Sequence, residues 1–441
     1  MKSLYLTNRF FIVLSIVVVT AVVGHFFAVF VGIAIFMLLT FTAIALFDVL
    51  LLFYTDKHGI SITRQAPERL SNGDQNTIAI YVKSNYTITV NCLIIDELPF
   101  QFQIRNFEIK TDLNANEDKV FYYHLRPTAR GEYSFGKTLA YITTKIGLIE
   151  RRFNFGEPKT VPVYPSFMQM RKYELMAISN RLTEVGIKKI RRISNTHEFE
   201  QIKQYVIGDD YRLINWNATA RKSQLMVNQY QDEKSQQVYS LIDMGRTMKM
   251  PFDGMTLLDY AINASLVISN IALIKQDKVG LLSFTNQINS LIPASKKNNS
   301  MQTILQVLYN QSPNFVEANY ELLYVTVSKK ITQRSLLLLY TNFEGLPSLN
   351  LQLPYLKKLA RHHLVVVIFF ENTEIKKVSH NAPKSTEEIY FKTIAEKLIF
   401  EKKQIVKELN NAGIQAVLTE PQHLTVNTIN KYLELKARGL I

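Results

Sequence analysis

Residues Gly208 to Glu233 read GDDYRLINWNATARKSQLMVNQYQDE, and the chain then runs Val238-Tyr-Ser-Leu-Ile-Asp-Met-Gly-Arg-Thr-Met248. The second stretch decides the fold class of the C-terminal half. A short apolar strand, Val238 to Ile242, ends in an acid, Asp243, followed by small and hydroxyl residues. That order puts carboxylate and hydroxyl oxygens at the carboxyl edge of a sheet, where α/β domains bind ligands.

Downstream, strand-like and helix-like segments alternate. Val279 to Phe284, Ser335 to Tyr340, Leu364 to Phe370 and Ile414 to Leu418 read as strands. Leu257 to Lys275, Ser300 to Asn310, Tyr320 to Ile331, Glu387 to Asn410 and Val426 to Lys436 read as helices. Alternation of this kind implies a doubly wound, mostly parallel sheet, and the almost wholly apolar strands suit a sheet covered on both faces. In the first helix, Leu258, Ala261, Ile262, Ser265, Leu266 and Ser269 share one face, with small residues for close approach to the sheet.

Upstream the chain is of another kind. From Phe10 to Tyr54 the only acidic or basic residue besides His25 is Asp48. As one helix this run would be about 68 Å long, against a hydrocarbon core of about 30 Å. Two spans, Phe10 to His25 and Ala28 to Phe53, joined near Gly24 and His25, fit better. A cleaved signal peptide is the competing reading, and the apolar run is too long for it. Lys2 and Arg9 before the spans and Lys57, Arg64 and Arg69 after them put both ends in the cytoplasm. Asp48 lies near a helix end, where its carboxylate can reach water or a neighbour; the alternative is a place in an ion path.

Between Ile60 and Pro165, short alternating strands separated by Asn, Gly and Pro argue an all-β sandwich. Thr77 to Lys83, Val90 to Ile95, Val120 to Leu125 and Gly131 to Phe135 are the clearest. Asp96 and Glu97 form a carboxylate pair that a turn before Pro99 explains. The expected organisation is therefore multidomain: residues 1–57 as two transmembrane helices, 58–167 as a β-sandwich-like domain, 168–235 as a linking segment, and 236–441 as an α/β doubly wound domain.

A length of 441 residues suits several cores. A net charge of +14 attracts acidic partners without choosing among lipid, protein and nucleic acid. The basic cluster Lys188, Lys189, Arg191 and Arg192 reads as a solvated loop or as a patch for anionic lipid or protein. Nucleic acid is disfavoured because no aromatics are interleaved for base stacking. The one cysteine, Cys92, forms no internal disulfide and suits a buried strand position. The chain carries no Gly-rich phosphate loop, no Cys or His metal spacing and no nucleophile elbow; His362 and His363 lack a second ligand cluster and read as a solvated helix end. The sequence is expected to be non-enzymatic.

The elements Gly208-Asp-Asp, Arg212-x-Ile-Asn-Trp216 and Ala218-Thr-Ala-Arg221 resemble the bacterial family known as domain of unknown function 58 (DUF58), and the strand ending at Asp243 resembles the opening of a von Willebrand factor A domain. The resemblance implies a protein of the bacterial cytoplasmic (inner) membrane, multi-pass, with its soluble domains in the cytoplasm. It further implies a scaffold that works with a MoxR-type AAA ATPase, and other membrane proteins, in protein remodelling or maturation. Asp209, Asp210, Arg212, Trp216 and Arg221 are the candidate partner-binding face, since Trp and Arg dominate interaction hot spots; the alternative is that Trp216 anchors the segment on the following domain.

Domains resembling von Willebrand factor A bind a divalent ion through an Asp-x-Ser-x-Ser loop, a Thr and a further Asp. Here Asp243 and Thr247 match the first loop's ends, Gly245 replaces its first hydroxyl, and Asn342 stands where the further acid is expected, with Glu344 nearby. Magnesium or manganese held by Asp243, Thr247 and Asn342 is the alternative functional reading; otherwise Asp243 and Thr247 cap the local turn and helix.

Overall fold

A computed structural model describes residues 3–54, 59–178, 198–206, 209, 211–231, 235–297, 299–312, 316–380, 383 and 385–440. The chain divides into two compact units, Met1–Tyr164 and Pro165–Ile441, so the segment 168–235 lies wholly within the second. The basic cluster at 188–192 and Asp210 fall outside the described residues.

The first unit opens with β1 (Leu4–Leu6) and two long helices, α1 (Asn8–Phe26) and α2 (Ala28–Phe53). Both are long and apolar enough to cross a membrane. The reversal falls at Phe27, whose backbone is extended, rather than at Gly24 and His25. Gly24 has another use: a Cβ there would come within 3.0 Å of the Val31 backbone, so its small size lets the two helices cross closely.

Ten further strands follow: β2 (Ile60–Gln65), β3 (Leu70–Ser71), β4 (Asn76–Ser84), β5 (Val90–Asp96), β6 (Glu108–Leu113), β7 (Asp118–Leu125), β8 (Gly131–Phe135), β9 (Thr138–Thr143), β10 (Ile149–Phe155) and β11 (Lys159–Tyr164). The described residues form sheets in the orders β1-β10-β9-β5-β6, β2-β4-β7 and β3-β11-β8. Ile80, Ile94 and Val161, one from each sheet, lie in a single apolar core that also takes in Cys92. The β-rich character expected for this region is present.

Asp48 is completely buried, not hydrated. It accepts hydrogen bonds from the Thr144 hydroxyl and from the backbone N–H groups of Leu148 and Ile149, each at 3.0 Å. Arg151 also donates to the Leu52 carbonyl at 2.7 Å and stacks over Phe53. These groups tie the end of α2 to the loop between β9 and β10, while β1 pairs with β10 at the start of α1. The stretch from Ala28 to Asp48 spans about 30 Å, one hydrocarbon thickness, which leaves the last turn of α2 for these contacts. Asp96 is likewise buried, held by Arg64 at 2.6 Å, Tyr123 and Thr138.

The second unit contains α3 (Phe167–Ile178), a hairpin of β12 (Glu198–Gln204) and β13 (Met226–Gln231) flanking α4 (Trp216–Lys222), and an α/β region. The α/β region comprises β14 (Gln237–Asp243), the short pair β15 (Pro251–Phe252) and β16 (Met255–Thr256), α5 (Leu257–Ile274), β17 (Lys278–Phe284), β18 (Ile288–Ser295), α6 (Ser300–Tyr309), α7 (Tyr320–Lys330), β19 (Leu336–Tyr340), α8 (Leu346–Ala360), β20 (Leu364–Phe370), α9 (Thr373–His380), α10 (Thr386–Asn411), β21 (Gln415–Thr419) and α11 (Leu424–Ala437). The sheet order is β18-β17-β14-β19-β20-β21, with β18 the antiparallel edge and the rest parallel.

α5 is as long and apolar as a membrane span, yet 78% of it is buried against 11% for α1 and α2. It starts at a capping box in which the Thr256 hydroxyl accepts from Asp259 N and Asp259 reaches back to Thr256. Both its faces are covered, one by the sheet and the other by α3 and α11, so the single buried face expected from its spacing is corrected to burial nearly all round.

Candidate functional site

The carboxyl ends of β14 and β19 bring together a closed polar cluster. Asp243, the last residue of β14, is 2% exposed. Its Oδ1 accepts from Gly245 N at 2.8 Å, and its Oδ2 accepts from the Thr341 hydroxyl at 2.7 Å and the Tyr320 hydroxyl at 3.1 Å. Tyr320, at the start of α7, and Thr341, just after β19, also lie 2.7 Å apart, and the hydroxyl that donates across this contact gives up its single proton to the other instead of to Asp243. Gly245 leaves room for the turn: a Cβ would lie 2.9 Å from Asp243 Oδ1 and 3.1 Å from Val316 O, so a larger residue would have to displace one of them. Burial raises the Asp243 carboxyl pKa, opposed by these three donors. Burial and then the Asp243 charge push the Tyr320 phenol well up.

A second arrangement lies on the same edge. Lys402, on α10, donates from Nζ to Asn342 Oδ1 at 2.7 Å and to Phe343 O at 2.5 Å, and its ammonium sits 5.6 Å from the Phe369 ring centroid. Desolvation lowers its pKa to about 8, although the Glu344 charge works the other way. It lines a cavity of about 300 Å³ whose walls include Leu257, Phe343, Phe370, Leu398 and Ile399.

A divalent ion needs several oxygens with lone pairs to give. Asp243 Oδ1 meets the Gly245 amide and Oδ2 meets the Thr341 and Tyr320 hydroxyls. The Asn342 oxygen faces the Lys402 ammonium, while its amide reaches only the Thr247 backbone carbonyl, at 3.5 Å. Thr285 directs its hydroxyl to Asn286 and Asn289. Glu344 is drawn to Arg246 at 3.1 Å. In this arrangement the carboxylate at the strand end organises the loop, as a structural cap would, and magnesium or manganese on Asp243, Thr247 and Asn342 stays the alternative proposal. Among the described residues, no cluster of three or more His, Cys, Asp or Glu stands ready for a metal.

The candidate partner-binding residues lie at the hairpin. Asn215 caps α4 by accepting from Ala218 N at 3.0 Å, which leaves Trp216 at the first helical position with its ring 69% exposed. Anchoring of Trp216 on a neighbouring element is thus corrected. Arg212 stacks over Tyr211, itself exposed, at 5.7 Å, and Arg221 is exposed in the last turn of α4. Asp209 turns inward instead, accepting from Lys203 at 2.9 Å and Val206 N at 3.0 Å, which together lower its pKa. It shapes the loop after β12. His363, read above as solvated, is 7% exposed, and burial lowers its pKa.

Tyr320, Thr341 and Lys402 escaped the sequence reading. One signal for Lys402 was available: Ala395, Leu398, Ile399, Lys402, Ile405 and Leu409 follow helical spacing, so a lysine interrupts the apolar stripe of α10.

Residues 201–381 match the family described as "Protein of unknown function DUF58". The match covers the hairpin and the sheet through α9. An uncharacterized protein, YeaD of Bacillus subtilis, is 29% identical over 123 residues, 27% of this chain and 30% of YeaD, so the chain aligns with under a third of that relative's length. Among solved structures, BatB from Bacteroides thetaiotaomicron is 13% identical, with 46% of this chain and all of that chain covered and a TM-score of 0.32. The CARDB domain of PF1109 from Pyrococcus furiosus is 13% identical over 24% of this chain and 94% of that chain, with a TM-score of 0.17.

Proposed function

We propose that the chain is a DUF58 protein with a von Willebrand factor A-like domain, anchored in the bacterial cytoplasmic membrane by α1 and α2. In this reading it is a non-enzymatic adaptor whose soluble regions face the cytoplasm. The observation that carries the reading is the exposed Trp216, presented on a capped helix in a short segment that also leaves Val206, Tyr211 and Leu225 exposed. A large exposed tryptophan with arginines close by in the sequence has the composition of a binding hot spot. The hairpin of β12 and β13 and the side-chain cap of α4 hold this group in a fixed frame. A MoxR-type AAA ATPase is the partner that the DUF58 resemblance implies.

The experiment is a binding titration of the full chain in lipid nanodiscs against the MoxR-type AAA ATPase of the same host, with a non-hydrolysable ATP analogue. Trp216→Ala combined with Arg221→Ala is expected to weaken binding about 30-fold or more, the loss typical of a hot spot. Equal affinity in wild type and variant removes this face from the proposal.

A further inference from the structure

The cavity beside Lys402 has a composition that points to a ligand. Its walls are mainly apolar, and each of its acids has a base nearby: Glu344 pairs with Arg246 at 3.1 Å, Glu374 with Lys377 at 3.1 Å, and Glu371 lies 3.6 Å from Lys376, which it shares with Glu420 at 2.9 Å. Lys402 differs. An ammonium has three donors, and the two that are placed go to neutral oxygens, those of Asn342 and Phe343. Among the described residues no carboxylate forms an ion pair with it. A desolvated charge is costly unless paired, and the wall's Glu344, whose charge favours the ammonium, is itself held by Arg246 at 3.1 Å and makes no ion pair with Lys402.

We propose that this cavity binds an apolar monocarboxylate, its carboxylate against the Lys402 ammonium and its apolar body among Leu257, Phe343, Phe370, Leu398 and Ile399. The volume of about 300 Å³ holds roughly ten water-sized groups, the size of a small aryl or alkyl acid or of one terminal apolar residue of a polypeptide. Its place beyond the carboxyl ends of β19 and β20 is where open α/β sheets receive ligands. The site is separate from the Trp216 face, and occupancy can be tested without reference to the adaptor reading.

The test uses the full chain in lipid nanodiscs and follows the acetylation rate of Lys402 by dilute acetic anhydride, with peptide mass spectrometry and with Lys397 and Lys403 as internal controls. The probes are 4-phenylbutyrate and its neutral amide, 4-phenylbutanamide. Phenylbutyrate is expected to slow Lys402 at least fivefold and leave the control lysines unchanged, while the amide has little effect. Equal protection by acid and amide, no protection by either, or a Lys402 that fails to react without ligand overturns the proposal. A second arm compares a short peptide ending in a free leucine carboxylate with the same peptide amidated. Selective protection by the free peptide at lower concentration than phenylbutyrate assigns the carboxylate to a polypeptide terminus; selective protection by phenylbutyrate alone assigns it to a small free acid. Because acid and amide are compared on the unaltered chain, the result does not depend on any variant folding.

Discussion

Asp243 and Lys402 stand on the same edge of the same sheet and carry opposite charges, yet their surroundings differ in kind. Asp243 is enclosed by donors: one backbone amide and two hydroxyls meet its two oxygens. Lys402 is supported by two neutral acceptors and opens on a cavity. A buried charge whose hydrogen-bonding capacity is filled contributes to the frame, whereas one left short of a counter-charge is available to a ligand. The acid that the sequence singles out is held by its own loop and helix, and the lysine proposed to meet a ligand sits on α10, a helix legible in the sequence with no role attached to it.

The strongest way to break this contrast is Asp243→Ala, which strands the Gly245 amide in the interior and leaves the Tyr320 and Thr341 hydroxyls only each other. It is expected to destabilise the second unit by about 3–5 kcal/mol, read as a lowered urea midpoint of the full chain in nanodiscs. A cost below about 1 kcal/mol contradicts a closed cluster. Burial raises the pKa of this carboxyl, so the uncharged Asp243→Asn should cost distinctly less.

Lys402→Met makes the opposite demand. Replacing a desolvated charge by an apolar chain of similar length is expected to leave stability unchanged or to raise it by about 1–2 kcal/mol at pH 7. The pH dependence follows from the lowered pKa. The folded protein releases the Lys402 proton near pH 8, whereas the unfolded chain holds it to about pH 10.4. The unfolded state therefore binds more protons in that window, and stability rises with pH across it, by at most about 1.4 kcal/mol per pH unit. The contribution should vanish in Lys402→Met. A wild type and variant with parallel stability curves from pH 8 to 10 would show that the lysine is hydrated.

Tyr320→Phe removes one hydroxyl from the cluster around Asp243 and should cost about 1 kcal/mol, in the same unfolding assay; no change would give Thr341 and Gly245 the whole task. Smallest of all is the stability effect of Trp216→Ala, below about 0.5 kcal/mol for a ring 69% exposed. A larger loss would return Trp216 to the anchoring role.

Elements whose pattern is local were legible in the sequence. β20 runs Leu364–Phe370 as its apolar run indicates, and α5 begins at Leu257 because Thr256 and Asp259 complete a capping box. Other elements carried contradictory local signals. α8 has Pro347 at its start and Pro354 inside it, and an interior proline argues against a helix. Pro293 similarly obscures β18, which is tolerated as an edge strand. α1, α2 and α5 are similar in length and apolar composition, and the surrounding chain distinguishes them: α5 is covered by the sheet, α3 and α11.

The sequence by itself determined the two apolar helices, the β-rich region, the parallel α/β order and the position of Asp243 at a strand end, since each follows from periodicity or composition within a few tens of residues. The tertiary structure alone decided what the polar residues do. Asp48 meets Thr144, Asp243 meets Tyr320 and Thr341, and Lys402 meets Asn342, pairs separated by 96, 77, 98 and 60 positions. Whether a buried charge is satisfied depends on groups that only folding brings within about 3 Å, and no local pattern along the chain records that distance.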